Sequence, residues 1–268
     1  MRPPGGDTME ATGAPRRRNP RRGAYLLPSL FTIGSMSLGF YAVVLGLDKR
    51  FELAALLVFI AGIADSLDGR IARLTGTESE FGKEYDSLAD VITFGAVPAL
   101  LTYFWGLREL HRDAWLCCLF YMVCTATRLA RFNVQTKIVD SRWFVGLPAP
   151  AAAGAVCSLL FFASWVDEAP WAEEHGRLVM QLAVAGALLV IGVLMVSTFR
   201  YKSFKTIDLS RRRSYRAAIA LAAVLLVVIY IPKATFLAIA VLYTLSAPIA
   251  ALWHRLTRRS PPEPEPAA

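Results

Sequence analysis

Four aspartates stand out in an otherwise apolar chain: Asp65, Asp68, Asp86 and Asp90. Asp65 and Asp68 are three residues apart and Asp86 and Asp90 four apart, so each pair shares one face of a helix. The connection between the pairs is short, which makes the two helices antiparallel neighbours and lets four carboxylates converge near a membrane surface. Such a cluster is costly. A charged side chain at membrane depth costs about 2.5–3.5 kcal/mol. Two carboxylates 4 Å apart repel by roughly 4 kcal/mol at an effective dielectric near 20. Arg70, Arg73 and Lys83 offset part of this charge. Hard divalent cations offset it better, because Mg²⁺ and Mn²⁺ prefer carboxylate oxygens, and two such ions form a clamp for phosphoryl-type displacement. Gly69, directly after Asp68, lets a bulky ligand approach the helix backbone. Gly82, just before the second acidic helix, suits a turn or the approach of an anion. A structural reading, with interfacial aspartates salt-bridged to Arg70 and Arg73, accounts for any one of them. It does not account for all four, two glycines and an arginine in this register.

The elements that must hold these residues are membrane helices. The chain has 268 residues, of which 55% are hydrophobic, more than a soluble domain carries. The excess falls into blocks of about twenty residues, the length that spans a hydrocarbon core. Eight such blocks run over 26–47, 51–74, 86–106, 113–132, 146–166, 177–198, 214–232 and 234–254. The expected fold is all-α, a polytopic bundle of about eight transmembrane helices. The second block is apolar only in its first half. The seventh and eighth are separated by Pro232 and Lys233, which predicts a tight helical hairpin. Pro148 and Pro150 begin or kink the fifth helix. Residues 1–22 and 257–268, rich in Gly, Pro, Arg or Glu, are expected to be disordered arms around one membrane domain over 23–256. The first apolar block is too long for a signal peptide and reads as a retained span.

Charge sets the orientation. With the N-terminus inside, 23 of the 29 Lys and Arg fall on inside segments and 6 on outside ones, and the acidic stretch from Asp167 to Glu174 lies outside. The net charge of +8 therefore needs no nucleic acid; anionic lipid headgroups account for it, with the Arg211-Arg212-Arg213 run as a surface anchor. Trp165, Trp171 and Trp253 suit the interfacial belts. Cys117, Cys118, Cys124 and Cys157 lie in apolar blocks without metal or redox spacing and read as small core residues. His111, His175 and His254 show no ligand spacing.

The run Asp65, Asp68, Gly69, Ala72, Arg73, Gly82, Asp86, Asp90 resembles, without a gap, the signature of the CDP-alcohol phosphotransferase family. The resemblance implies a homodimer with a six-helix core and a site open to the cytoplasm. It implies two divalent cations, Mg²⁺ or Mn²⁺, held by Asp65, Asp68, Asp86 and Asp90. It further implies that Asp90 is the general base and that Gly69, Ala72 and Arg73 lie against the CDP moiety, with Gly82 and Thr32 as further contacts. Leu27-Pro28-Ser29-Leu30-Phe31-Thr32, Phe94-Gly95-Ala96-Val97-Pro98, Ala130-Arg131-Phe132-Asn133, Gly146-Leu147-Pro148-Ala149-Pro150 and Arg200-Tyr201-Lys202-Ser203-Phe204-Lys205 resemble the phosphatidylserine synthase branch. That branch implies CDP-diacylglycerol and L-serine as substrates in the cytoplasmic membrane, with both termini and the site inside. Relatives often carry Asn where this chain has Ser29 and Ser35. The carboxylate of serine needs a cation, and Arg128 and Arg131, with Asn133, are candidates.

Two other readings stand beside this one. The first is the same chemistry with glycerol 3-phosphate or an inositol compound as acceptor; Lys137 and Arg142 leave room for a phosphorylated one. The second is a cation transporter, against which stands the single acidic cluster, at a helix end and without a copy in a second half.

Overall fold

A computed structural model of the chain describes residues 26–75, 79–135, 143–167, 174–202, 226–227 and 230–256. The expected terminal arms, most of the seventh apolar block, the Arg211-Arg212-Arg213 run, Lys137, Arg142 and Trp171 lie outside the described residues. Among these, the long helices are α1 (Leu26–Leu47), α2 (Phe51–Thr75), α3 (Glu80–Leu110), α4 (Trp115–Gln135), α5 (Ala149–Asp167), α6 (Glu174–Val196) and α7 (Pro232–Leu256). All but α2 are long and apolar enough to cross a membrane. At 25 residues, or about 37 Å, α2 has the length, but Glu52, Asp65, Asp68, Arg70 and Arg73 break its apolar run. Large apolar side chains such as Phe40, Leu53, Val190 and Leu242 face outward, as the lipid-facing surface of a multi-pass membrane protein requires.

Small residues let the helices approach closely. Ala54, Ala55 and Ala61 of α2 and Ala152, Ala153, Cys157 and Ala163 of α5 are fully or almost fully buried, and α1 lies along α2. All four cysteines are free thiols; three are buried and Cys117 is half-buried, in line with the packing role expected of them. Pro148 and Pro150 flank the start of α5, as anticipated.

α3 departs from ideal geometry twice, with π-helical turns over Val91–Ala96 and Tyr103–Leu107. Pro98 lies two residues after the end of the first. It has no N–H to give the carbonyl of Phe94 four residues earlier. The fully buried Tyr121 of α4 donates its hydroxyl to that carbonyl at 2.9 Å. At the second, Gln181 of α6 donates to the Gly106 carbonyl at 3.1 Å. Neighbouring helices thus satisfy the groups that the irregular backbone frees, as a site without water demands.

Two findings differ from expectation. First, Pro232 and Lys233 do not separate two helices. The break falls at Ile231, and both residues lie in the first turn of α7, where a proline loses no hydrogen bond. Lys233 forms an ion pair with Glu52 of α2 and lies 5.5 Å from the ring centroid of Phe161 on α5. Second, the all-α bundle carries one short two-stranded ribbon that the sequence did not announce. Strands β1 (Trp143–Val145) and β2 (Arg200–Lys202) pair antiparallel, with Phe144 opposite Tyr201. Gly146 ends β1 with φ +79°, and its N–H donates to the Phe199 carbonyl at 2.8 Å.

A Cβ at Gly146 would run into the Met195 carbonyl oxygen, a backbone atom that cannot swing aside. Gly146→Ala is therefore expected to cost at least about 2 kcal/mol, read as a lower thermal unfolding temperature in detergent. An unchanged midpoint would contradict this account of the turn.

Candidate active site

The site starts from two helix ends that the sequence fixes locally. On α1, the buried hydroxyl of Ser35 donates to the Ala61 carbonyl of α2 at 3.1 Å. This holds α2 one turn before Asp65. On α3, Ser79 is the N-cap, in extended conformation, and its Oγ accepts from the Gly82 N–H at 3.0 Å. A Cβ at Gly82 would stand 3.0 Å from that Oγ, so glycine here has a role in the turn itself.

From these ends the aspartates converge. Asp65, Asp86 and Asp90 are all half-buried, and each offers an oxygen within 4.8 Å of the others. Asp65 and Asp90 approach to hydrogen-bonding distance. Two carboxylates that close need a shared proton or a cation between them. Three hard oxygen donors on rigid helices fit a divalent ion. Asp68, Ala72 and Arg73 belong to the same stretch of α2, but their side chains lie outside the described residues, as does that of Ser29. Gly69 is exposed, and a Cβ there would meet nothing within 4 Å. Packing among the described residues gives no reason for glycine at this position. Thr32 is buried on α1, one turn before Ser35.

The cations divide their work differently from the expectation. Lys83 pairs with Glu80 at 3.1 Å, both side chains well exposed, and Arg70 is exposed. Arg128 of α4, only 7% exposed, lies within electrostatic reach of Asp90 and of Tyr243 on α7. Its guanidinium stands 5.4 Å from the Phe132 ring centroid, and its Nε has no hydrogen-bond partner among the described residues. Arg131 donates instead to the Val196 carbonyl, in the last turn of α6, at 3.2 Å. The Asn133 amide donates to Ser87 Oγ at 2.9 Å, and so ties α4 to α3 between Asp86 and Asp90. The arrangement of α2, α3 and α4 thus joins a carboxylate cluster with the donor set of a cation site to a buried guanidinium.

Sequence reasoning did not single out Ser35 as a helix-to-helix donor, nor Tyr243. For Ser35, a lone hydroxyl in an apolar block gives no sign of which carbonyl it seeks. Tyr243 lies far along the chain with no local motif. One usable signal was Pro248, which marks a freed carbonyl at Thr244.

Residues 25–189 match the family model described as CDP-alcohol phosphatidyltransferase. Over 185 residues the chain is 40% identical to a CDP-diacylglycerol--serine O-phosphatidyltransferase of Helicobacter pylori, covering 68% of this chain and 74% of that protein. It is 41% identical over 150 residues to the enzyme of the same name from Mycobacterium leprae, covering 52% of this chain and 50% of the relative. An archaetidylserine synthase of Methanothermobacter thermautotrophicus is 33% identical over 177 residues, 65% of this chain and 69% of that protein. The matched stretch contains every aspartate of the cluster together with α1 to α5 and most of α6, and on that ground the chain belongs to the CDP-alcohol phosphatidyltransferase family.

Proposed function

We propose that this protein transfers the phosphatidyl group of CDP-diacylglycerol to the hydroxyl of L-serine, forming phosphatidylserine and releasing CMP. The observation that carries the reading is the meeting of Asp65, Asp86 and Asp90 beside a buried arginine. The names of the relatives support it: they share serine and differ in the lipid, phosphatidyl or archaetidyl.

In this reading Asp65, Asp68, Asp86 and Asp90 would hold two divalent cations, Mg²⁺ or Mn²⁺, and the bound ions would supply charge neutralisation for the diphosphate and its leaving group. Gly69, Ala72, Arg73, Gly82 and Thr32 receive the CDP moiety. Asp90 accepts the proton of the serine hydroxyl. The serine oxygen then forms a bond to the lipid-bearing phosphorus, the bond from that phosphorus to the CMP oxygen breaks, and CMP departs. Of the three candidates for the acceptor carboxylate, Arg128 takes that role, because its guanidinium is buried with an unmet donor. Arg131 and Asn133 act by fixing α4 to α6 and to Ser87. The protein is a homodimer of the cytoplasmic membrane, with both termini and the site inside. The excess of Lys and Arg on one set of connections supports that orientation.

CMP release from CDP-diacylglycerol, assayed with serine, glycerol 3-phosphate and inositol, tests the reading. Only serine is expected to support release, and a chelator is expected to abolish it. Release with another acceptor alone would contradict the assignment. Asp90→Asn is expected to lower turnover at least roughly 100-fold with an unchanged unfolding midpoint; near-normal turnover would remove Asp90 as the base. Gly69→Ala is expected to leave stability unchanged and to raise the KM for CDP-diacylglycerol about tenfold, equivalent to about 1.4 kcal/mol. An unaltered KM would show that no ligand closes on Gly69.

A further inference from the structure

The family match ends at residue 189, and α7 lies beyond it. Nothing in the matched motif assigns this helix a part in the reaction. Its docking is nonetheless specific. Pro248 stands inside α7 and has no N–H for the Thr244 carbonyl four residues earlier. The fully buried Tyr201 of β2 donates its hydroxyl to that carbonyl at 2.9 Å. Burial pushes the Tyr201 phenol up to about 12, so it remains a donor at neutral pH. The Tyr201 ring also packs against that of Tyr243, with centroids 5.6 Å apart. One hydrogen bond and one ring contact therefore fix the rotation of α7 against the β1–β2 ribbon. The ribbon is in turn held by Gly146 and the end of α6.

This rotation brings Tyr243 within electrostatic reach of Arg128, which in turn lies within reach of Asp90. Polar capacity is left over at this place. Arg128 Nε is buried with no hydrogen-bond partner among the described residues. A buried guanidinium with an unmet donor is unfavourable unless an anion completes it. A carboxylate does so well: guanidinium and phenol are both donors to it, and both bonds are charge-assisted. A neutral polyol gives neither bond that strength.

We propose that Tyr243 is a specificity-determining residue of the acceptor site. It works with Arg128 on the carboxylate of an amino-acid acceptor, and the Tyr201–Thr244 bond is the positioning contact that holds it there. The inference rests on the serine-transfer reading and extends the site to a helix outside the family match.

Steady-state kinetics of the full-length protein in mixed micelles of detergent and CDP-diacylglycerol test it. Wild type, Tyr243→Phe and Tyr201→Phe are compared with L-serine and with L-serinamide, which lacks the carboxylate. Tyr243→Phe keeps the ring and is expected to raise the KM for serine roughly tenfold, the loss of one hydrogen bond to a charged group. Its kcat is expected to stay within about twofold and its KM for CDP-diacylglycerol to be unchanged. With serinamide, wild type and Tyr243→Phe should not differ. Tyr201→Phe is expected to raise the serine KM in the same direction, and it carries the test if Tyr243→Phe does not accumulate. An unchanged serine KM in an active enzyme would overturn the inference alone, as would a parallel rise in both KM values. Wild-type protein without serine-dependent CMP release would overturn the inference and the reading beneath it together.

Discussion

Mutual repulsion among three half-buried carboxylates is the constraint around which the bundle is organised. Oxygens of Asp65, Asp86 and Asp90 lie within 4.8 Å of one another, and each pair at that spacing repels by a few kcal/mol even at an effective dielectric near 20. A shared proton between Asp65 and Asp90 relieves part of that repulsion, and opposing charge must meet the rest. Arg128 supplies one positive group within reach. Lys83 is engaged with Glu80, and Arg70 is exposed. The remaining negative charge matches what a hard divalent cation requires, and the same charge suits such an ion to gripping a diphosphate.

Holding that cluster in place demands rigid helices in a setting with little water. The bundle meets the demand by pairing three carbonyls at irregular helix positions with side chains from neighbouring elements. Tyr121 serves the carbonyl freed by Pro98, Tyr201 the one freed by Pro248, and Gln181 the carbonyl of Gly106. Ser35 adds a bond from α1 to α2 one turn before Asp65. These contacts have a common logic. A proline or a π-helical turn creates an acceptor, and a buried hydroxyl or amide reads its position, so the irregularity becomes a register mark between helices. The first of these marks sits within two turns of Asp90, which suggests why α3 tolerates a π-helical turn directly after that residue.

Much of this was legible in the chain itself. Apolar blocks of span length announce the helices, and the spacing of Asp65, Asp86 and Asp90 places them on facing helix ends before any coordinate is known. The β1–β2 ribbon was not legible. Strands of three residues are too short to show alternation, and their pairing depends on the positive φ of Gly146 and on where α6 stops. Nor could the chain rank Arg128 against Arg131. They lie three residues apart on one helix, and which of them meets the Val196 carbonyl depends on the depth at which α4 and α6 pack. Tyr243 was hidden for the same reason: its proximity to Arg128 arises from long-range docking through Tyr201.

Binding of Mn²⁺ to the purified protein, followed by electron paramagnetic resonance, tests the electrostatic core of this account most directly. Wild-type protein is expected to take up two ions per chain in the presence of CDP-diacylglycerol, and Asp65→Asn and Asp86→Asn are expected to lose that uptake while remaining folded. Undiminished Mn²⁺ binding by both variants would contradict it, because the ions would then be held by something other than the carboxylates that α2 and α3 bring together.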